Sequence, residues 1–224
     1  MTAKRLVIVG NGEIAAMAHQ YFTYDSDWEV AGFAIGPQYI DGDSFCGLPL
    51  VSLADLEHRF PPDAFHAFVA IGDGQLNRIR RGHFDALKAR GYALASYLSS
   101  RAFVWRDVKI GENAFILENN VLQPFVTVGA NVTLWSGNHI GHRSVIEDNV
   151  FISSHVVVSG FCRIGENSFL GVNAAIAHQV RIAPDNFIAM GAVVSASTEP
   201  DLIYQGNPAE PRKIAATRYC RVKT

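Results

Sequence analysis

The chemistry suggested by this sequence centres on one histidine and one glycine that lie eighteen residues apart. Four of the eight histidines fall within residues 139–178, and only His142 is followed eighteen positions later by a glycine, Gly160. An imidazole is suited to take a proton from an amine or hydroxyl group at neutral pH. A neighbouring glycine leaves an open groove and a backbone N–H that can face a developing oxyanion. The pair therefore predicts general-base acyl transfer, whereas His139, His155 and His178, each taken alone, would fit a solvated surface.

The spacing of eighteen matters because the chain repeats with a period of six. A period of six fits neither an α-helix nor an alternating strand, and it indicates a hexapeptide β-helix in which short strands coil into a prism. Three hexapeptides make one turn, and turns stack at about 4.8 Å, so Gly160 is expected directly above His142. The repeat has no insertion, and its aliphatic, inward-facing positions are Val104, Ile110, Ile116, Leu122, Val128, Leu134, Ile140, Ile146, Ile152, Val158, Ile164, Leu170, Ile176, Ile182, Ile188 and Val194.

Two asparagines fall on small inward positions of this prism. Asn120 and Asn138 lie one turn apart in the sequence. A buried amide without a partner is costly, so we expect the two side chains to form a short hydrogen-bonded ladder.

Length and composition favour two domains and argue against nucleic acid or a membrane surface as a partner. The 224 residues carry a net charge of −2 with 18% charged residues, which gives no support for binding nucleic acid or a membrane surface. No apolar run approaches the roughly 20 residues of a membrane span. The widely spaced Cys46, Cys162 and Cys220 are interpreted as reduced thiols of a cytoplasmic protein. The segment before the first predicted strand, Met1 to Lys4, is too short for a signal peptide.

The residues before the repeat alternate between strand and helix patterns. Strands are expected at 5–9, 28–35, 66–71 and 92–95, and a loop at 37–49. Helices are expected at 13–22, from a capping box at Ser52 and Asp55 to the proline pair at 61–62, and from Asp73 to about residue 90. This βαβαβαβ order predicts a small parallel α/β sheet.

Two glycine-containing loops follow the first and third strands, at the sheet edge where open α/β domains bind ligands. They are Gly10-Asn11-Gly12-Glu13 and the loop that contains Gly72 and Asp73. Glycines let backbone N–H groups approach a phosphate at a helix N-terminus, although the same pattern also suits a plain tight turn. A dinucleotide site requires an acid after the second strand, and here that strand ends on Ile35. A mononucleotide or sugar nucleotide therefore fits better than NAD.

These motifs together resemble a known family. The hexapeptide array closes on Gly206-Asn207-Pro208-Ala209, and Val69-Ala70-Ile71-Gly72-Asp73 precedes it. The chain resembles, over residues 4–213, the two-domain bacterial nucleotide-sugar acyltransferases of the left-handed β-helix superfamily. Examples are the UDP-bacillosamine and GDP-perosamine N-acetyltransferases and sialic-acid O-acetyltransferase-like proteins. The implied domains are a Rossmann-like nucleotide-sugar-binding domain at 1–98, a left-handed β-helix acyltransferase domain at 99–198, and a loop with a basic tail at 199–224.

The resemblance also implies an activity and its residues. It implies an acetyl-CoA-dependent N-acetyltransferase that acts on a nucleotide-linked amino sugar in bacterial surface-glycan synthesis, as a homotrimer with active sites between neighbouring prisms. His142 falls at the family's general base and Gly160 at its oxyanion donor. The nucleotide falls on the two glycine-containing loops. The implied coenzyme contacts are Gly160, the backbone around Ala174 and Ala192, Pro208, and Arg212 or Lys213 near the phosphates.

Three positions depart from the family pattern. Arg143 stands where an acid often orients the histidine, Phe151 where a second histidine is often seen, and Ile35-Gly36 where an acidic pair commonly ends the second strand. The first departure weakens a carboxylate–histidine dyad and makes His139 a candidate helper or alternative base. The third leaves the identity of the nucleotide base open.

Other functions remain compatible with the sequence. An O-acetyltransferase or a transferase of a longer acyl group would use the same general base. A zinc enzyme similar to the γ-class carbonic anhydrases would use His142 and His178, thirty-six residues apart, with His139 or His155. That function would leave the first domain without a role, so no metal is expected. A non-catalytic scaffold is the remaining alternative, because fold alone does not fix function.

Overall fold

The computed structural model describes residues 4–223, which form two compact units. The first unit comprises the chain up to Gly72 together with Gly82–Tyr97, and the second comprises Asp73–Arg81 together with the chain from Leu98 onward. Residues 73–81, expected from the sequence in the first domain, thus belong to the second unit by their contacts. No helix within residues 4–223 combines the length and the apolar character needed to cross a membrane.

The first unit is an α/β sheet in which four strands run parallel. Its strand order is β3-β4-β2-β1-β5, and only β3 is antiparallel to its neighbour. The elements are β1 (Lys4–Val9), α1 (Glu13–Tyr24), β2 (Trp28–Ile35), a 3-10 turn (Pro37–Tyr39), β3 (Ser44–Phe45), β4 (Leu48–Ser52), α2 (Leu56–Arg59) and β5 (His66–Val69). Helix α3 (Arg78–Ala89) begins in the second unit and belongs to the first from Gly82 onward. The continuous apolar run of β1 is buried on both faces, as expected for a parallel strand.

Two local predictions in this unit were wrong. Residues 37–49 are not a single loop, because β3 and the start of β4 pair there as a hairpin. The capping box at Ser52 and Asp55 does not form: the Ser52 hydroxyl accepts from the Ala54 N–H at 3.2 Å, and Asp55 makes no side-chain cap. A serine that bonds to its own turn satisfies the hydroxyl locally and leaves the helix without a cap.

The predicted third helix and fourth strand also differ from the structure. Helix α3 begins at Arg78 rather than at Asp73, because residues 75–77 all take left-handed backbone conformations that no right-handed helix contains. The expected strand at 92–95 is reduced to a single bridge between Leu94 and Ala67.

The second unit is a left-handed β-helix of hexapeptide repeats, as predicted. Each strand pairs in parallel with the strand eighteen residues later, so the strands form three faces. The first face contains Phe103–Val104, Val121–Leu122, His139–Ile140, Val157–Val158, Ala175–Ile176 and Val193–Val194. The second contains Lys109–Ile110, Thr127–Val128, Val145–Ile146, Arg163–Ile164 and Arg181–Ile182. The third contains Phe115–Ile116, Thr133–Leu134, Phe151–Ile152, Phe169–Leu170 and Phe187–Ile188, and a further short strand, Tyr97–Leu98, precedes the array.

The core of the β-helix is formed by the sixteen aliphatic residues that the sequence predicted to face inward. Each of the sixteen positions is the second residue of its strand and packs into one cluster, in which only Val104 and Ile110, in the first coil, are partly exposed. The identical inward position in every coil explains why the period of six is unbroken: an insertion would move an aliphatic side chain out of the column.

The asparagine ladder lies on a different column from the one predicted. Asn120 and Asn138 are buried, but their amides donate to backbone carbonyl oxygens. The ladder forms at a corner of the prism, where Asn113 donates to Asn131 at 2.8 Å and Asn131 donates to Asn149 at 2.9 Å. These corner residues have φ angles of 54°, 57° and 62°, a conformation that asparagine tolerates better than most residues.

A buried arginine attaches residues 73–81 to the β-helix. Arg80 is 1% exposed and donates to the backbone carbonyls of Asn131 and Asn149 at 3.0 to 3.3 Å. Its guanidinium also lies 5.7 Å from the ring centre of Phe151. Burial lowers the pKa of the guanidinium to about 10, and the nearby charge of Asp73 partly opposes that change.

The end of the chain is structured, contrary to the prediction of a loop and tail. Leu202–Gln205 extends the third face by pairing in parallel with Phe187–Ile188. Glu210–Ala215 then returns antiparallel to it, and helix α4 (Ala216–Tyr219) follows.

Candidate active site

His142 and Gly160 meet at the corner between the first and second faces. A β-carbon built on Gly160 would lie 2.5 Å from Cε1 and 2.8 Å from Nε2 of the His142 ring. The imidazole therefore reaches into the coil above and fills the space that the β-carbon of any other residue at position 160 would occupy. The Gly160 carbonyl accepts from the Gln179 N–H at 3.0 Å, while within residues 4–223 the Gly160 N–H has no acceptor. An exposed imidazole thus lies beside an unused backbone donor.

One side chain from the coil below contacts His142 twice. The Gln123 Oε1 accepts from the His142 backbone N–H at 2.9 Å and lies 3.2 Å from Nδ1 of the ring. Gln123 was not identified from the sequence. The available signal was its place nineteen residues before the histidine, which puts it one coil below.

Aromatic rings and a cation surround the same corner. Phe161 packs edge-on against His142, with ring centres 5.2 Å apart, and against His178 at 5.5 Å. The Arg143 guanidinium lies 4.3 Å from the ring centre of Phe125 and 5.9 Å from that of Phe161. Arg143 therefore does not replace the missing acid as a partner of the histidine; it stacks on aromatic faces, which orders the guanidinium beside the site.

The backbone at this corner is unusual for the residues that occupy it. Each corner of the prism holds a residue with positive φ at every sixth position from 113 to 191, and the column above Asn113 is asparagine or aspartate up to residue 185. We call the residues at the His142 corner the corner column: Phe125, Arg143, Phe161 and Gln179, with φ between 58° and 65°. Left-handed backbone costs a non-glycine residue about 1–2 kcal/mol. Because every corner of the prism has this conformation, it belongs to the fold and does not by itself mark the His142 corner as a site.

The other histidines of the repeat occupy different places. His139 is a half-buried residue of the first face, where it pairs in register with Val121 and Val157. His155 packs over Gly137 at another corner. Among the described residues, the rings that pack against His142 are those of Phe161 and His178, the latter at 6.2 Å. Within residues 4–223, His139 therefore makes no ring contact with His142.

The first unit contains a pocket of about 270 Å³ at the carboxyl ends of β1, β2 and β5. It brings together most of the predicted nucleotide-binding residues. The pocket is lined by Gly10, Asn11, Gly12, Glu13, Ile14, Ile35, Ala70, Ile71 and Gly72. Asp73, the remaining predicted residue, belongs to the second unit.

The shape of this pocket depends on Gly10. Its φ is +137°, and a β-carbon there would lie 2.7 Å from the Ala70 carbonyl oxygen, so only glycine fits. Gly12 precedes the first turn of α1 and has no neighbour within 4 Å of a built β-carbon, which leaves the helix N-terminus open. Among residues 4–223, no lysine or arginine lines the pocket, so an anionic ligand would depend on backbone N–H groups.

The predicted coenzyme-contact residues fall into two groups. Ala174 and Ala192 are buried in the core, and their backbone N–H and carbonyl groups already bond within the β-helix at 2.8 to 3.2 Å. Pro208, Arg212 and Lys213 lie exposed on the terminal hairpin, where Pro208 follows a cis peptide bond. Of these five residues, the three on the hairpin are therefore the ones that a coenzyme phosphate group could reach, and Gly160 adds its backbone N–H.

Metal ligation has no support in the described residues. Residues 4–223 contain no group of three histidine, cysteine or acidic side chains placed to hold a metal ion.

Comparison with known proteins agrees with the fold. Residues 107–142 match the family model "Bacterial transferase hexapeptide (six repeats)", and residues 162–196 match "Hexapeptide repeat of succinyl-transferase". A sequence search among curated proteins finds no match.

Three solved structures illustrate a likeness that covers more than nine tenths of the chain. A histidine-to-asparagine variant of perosamine N-acetyltransferase from Caulobacter crescentus, in complex with CoA and GDP-perosamine, superimposes with a TM-score of 0.83 at 21% identity, covering 92% of this chain and 96% of that one. The acetyltransferase domain of PglB from Neisseria gonorrhoeae gives 0.80 at 24% identity, with coverages of 93% and 100%. WeeI from Acinetobacter baumannii gives 0.72 at 21% identity, again with 93% and 100%. At these identities the likeness establishes the two-part fold.

Proposed function

We propose that this protein is an acetyl-CoA-dependent N-acetyltransferase that acylates the amino group of a nucleotide-linked sugar, in bacterial surface-glycan synthesis. The observation that carries the proposal is the His142 imidazole packed under Gly160, beside a backbone N–H that lacks an acceptor. The hexapeptide fold and the structural likeness to a perosamine N-acetyltransferase solved with CoA and GDP-perosamine support it.

The proposed reaction is a direct acyl transfer. The acceptor nitrogen attacks the thioester carbonyl, and a C–N bond forms while the C–S bond breaks. The Nε2 atom of His142 takes the proton from the attacking nitrogen, and the histidine then passes this proton to the departing thiolate. The Gly160 N–H donates to the carbonyl oxygen as negative charge develops there, which is the arrangement that stabilises acyl-transfer transition states. Holding both reactants beside these groups supplies the entropic part of the catalysis.

The first unit would hold the nucleotide. Its pocket offers the open N-terminus of a twelve-residue helix, and the loop Gly10-Asn11-Gly12-Glu13 lines it. Glu13 stands in the first turn of that helix, and its carboxylate suits a ribose or sugar hydroxyl better than a phosphate. Ile35 lines the pocket where a dinucleotide site would carry an acid, which supports a sugar nucleotide over NAD.

The coenzyme would bind along the β-helix near Gly160 and the terminal hairpin. Arg212 and Lys213 are exposed there and could pair with its phosphates. Because the backbone of Ala174 and Ala192 is already engaged in the β-helix, we assign the coenzyme contacts to Gly160, Pro208 and the two cations instead.

The proposal includes a homotrimer. The first face carries exposed apolar side chains, with Phe103 at 54% and Val157 at 45% exposed, and Phe125 at 55% and Phe161 at 46% lie at its edge. A second copy of this chain would cover this surface and complete a groove beside His142. A cytoplasmic location also belongs to the proposal, because Cys46, Cys162 and Cys220 are all free thiols.

A sugar O-acetyltransferase is the second candidate. Arg143 is held at the His142 corner by Phe125, and its positive charge disfavours an acceptor that arrives as an ammonium group. A hydroxyl acceptor would not meet this repulsion, and the same general base would serve it.

The deciding experiment is a thiol-release assay with acetyl-CoA against UDP-, GDP- and dTDP-linked amino sugars, with the corresponding hydroxyl sugars beside them. Turnover of an amino sugar is expected. The His142→Asn variant should lose at least 100-fold in kcat, whereas His155→Asn, an exposed histidine at another corner, should keep wild-type turnover. Turnover only with hydroxyl sugars would select the O-acetyltransferase. Stoichiometric zinc with no CoA binding would overturn both.

A further inference from the structure

The side chain of Gln123, an uncharged amide, contacts His142 from the coil below. Its Oε1 contacts the ring and the backbone of His142 together, at 3.2 and 2.9 Å. We propose that Gln123 is a positioning residue that fixes His142 as the Nδ1–H tautomer and directs the Nε2 lone pair toward the reacting group. This inference deepens the proposed function and rests on it, although its physical basis can be tested without any substrate.

The first step is the orientation of the amide. A backbone N–H can only donate, so the Gln123 atom 2.9 Å from the His142 nitrogen must be the carbonyl oxygen rather than the amide nitrogen. The backbone contact therefore excludes the flipped amide, which would place two donors against each other.

The second step is the tautomer. The same oxygen lies 3.2 Å from Nδ1 of His142, and a carbonyl oxygen can only accept. Nδ1 must therefore carry the proton, which leaves Nε2 as the unprotonated nitrogen of the neutral ring. Nε2 is also the nitrogen next to the empty side-chain position of Gly160, at 2.8 Å from a built β-carbon. The basic atom thus faces the open groove.

The third step is the anchoring of Gln123 itself. Its backbone N–H donates to the Ile140 carbonyl at 3.1 Å, and the side chain is half-buried between coils. Pro124 follows, and its carbonyl accepts from the Arg143 N–H at 3.1 Å, so the segment that bears the amide is tied to the coil that bears the histidine. Because the orienting group is neutral, it fixes the ring without adding the negative charge of a histidine–carboxylate dyad.

The test has one spectroscopic and one kinetic part. Two-bond ¹H–¹⁵N correlation spectra of the full chain, labelled with ¹⁵N-histidine, report which ring nitrogen is protonated, and the His142→Asn spectrum assigns the signals. At a pH where the ring is neutral, the wild type should show a protonated Nδ1 on His142. In Gln123→Met, which removes the acceptor at similar volume, Nε2–H should appear.

The kinetic part uses whichever acceptor turns over. Gln123→Met should lower kcat about 10–100-fold, by analogy with the loss of a hydrogen-bond partner that orients a metal-bound histidine, while KM for both substrates changes less than threefold. Gln123→Glu restores an acceptor and adds a charge, so it should recover most of kcat and move the acid limb of the pH–rate profile to higher pH. Gln20→Met, the same exchange on an exposed residue of α1, should change neither.

Each outcome bears on the proposal separately from the activity itself. A protonated Nε2 on His142 in the wild type would overturn it, as would wild-type kcat and an unmoved pH profile in both Gln123 variants. If Gln123→Met does not fold, judged by thermal unfolding, the Glu variant and the wild-type spectrum still decide. A wild-type Nδ1–H signal in a protein that turns over no acceptor would support the positioning role and count only against the transferase.

Discussion

The ring of His142 and the missing side chain of Gly160 occupy the same volume. A methyl group at position 160 would contact three ring atoms of the histidine at 2.5 to 3.0 Å and no backbone atom more closely. The backbone of Gly160 does not have a positive φ, so alanine is conformationally acceptable there. The three nearest atoms all belong to the imidazole, which must therefore move.

Gly160→Ala should therefore abolish function without unfolding the protein. We expect kcat to fall about 100-fold or more, since a displacement of about 1 Å at a catalytic group has that effect, with a change in unfolding free energy below about 1 kcal/mol. Gly141→Ala is the matched contrast, because its β-carbon would lie 2.5 to 2.6 Å from backbone atoms of Ser159 and Gly160. That variant should lose about 1–3 kcal/mol by overpacking. Urea unfolding measures the stability of both variants, and the thiol-release assay measures their kcat. Equal losses of stability in Gly160→Ala and Gly141→Ala would contradict the inference that a side chain at position 160 meets the imidazole before any backbone atom.

Val157→Glu should break the proposed trimer. Val157 is 45% exposed on the first face, and burying a carboxylate between copies there would be costly. We expect light scattering to give the mass of a trimer for the wild type and a smaller mass for the variant. Tyr24→Glu, at a side chain 78% exposed at the end of α1, serves as the control and should keep the wild-type mass. A monomeric wild type would rule out a shared active site.

Arg80→Met should destabilise the second unit strongly. It removes a buried guanidinium and leaves the carbonyls of Asn131 and Asn149 without this donor, which we expect to cost about 2–4 kcal/mol. The neighbouring Arg81 pairs with Glu166 at 2.6 Å but is 44% exposed, so Arg81→Met should cost less than about 1 kcal/mol. Chemical unfolding measures the loss of unfolding free energy in each variant. A similar loss for both would contradict the proposal that Arg80 attaches residues 73–81 to the β-helix.

Glu57 should make the first unit sensitive to acid. Arg90 bonds to Glu57 and to the Leu53 carbonyl at 2.7 Å, and the Glu57–Arg90 hydrogen bond lowers the carboxyl pKa from 4.5 to about 2. A depressed carboxyl pKa stabilises the folded state above the unfolded pKa of 4.5, and this contribution is lost as the pH falls toward 2. Because Glu57 is well exposed, the difference between wild type and Glu57→Gln should stay below about 1 kcal/mol at pH 6. It should shrink between pH 4.5 and 3, as followed by thermal unfolding, and a constant difference would contradict the ion pair.

The sequence predicted the β-helix well because its signal is periodic. Every coil needs an aliphatic residue at each inward position, so the core from Val104 to Val194 could be predicted from the sequence alone. The same stacking rule correctly predicted that Gly160 lies over His142.

Features that depend on a single backbone angle could not be predicted in this way. The three left-handed residues before Arg78 delay the start of α3, and nothing in the composition of Gln75, Leu76 and Asn77 requires that conformation. The asparagine ladder was expected at inward positions but forms at corners. There the positive φ of Asn113 and Asn131 aims their amides along the stack. Gln123 was missed because its role depends on side-chain reach between coils.

The terminal hairpin decides how far the stacking can continue. A coil of parallel strands ends in unpaired N–H and carbonyl groups that invite another chain to add on indefinitely, as in fibrous assemblies. Here the outermost strand of the third face, Glu210–Ala215, runs in the opposite direction, carries Pro211, and presents Arg212 and Lys213 to solvent. Proline cannot donate to a further ladder, and the two cations repel an identical edge. The segment that the sequence predicted as a loop and tail therefore caps the β-helix and prevents another chain from adding strands to this end.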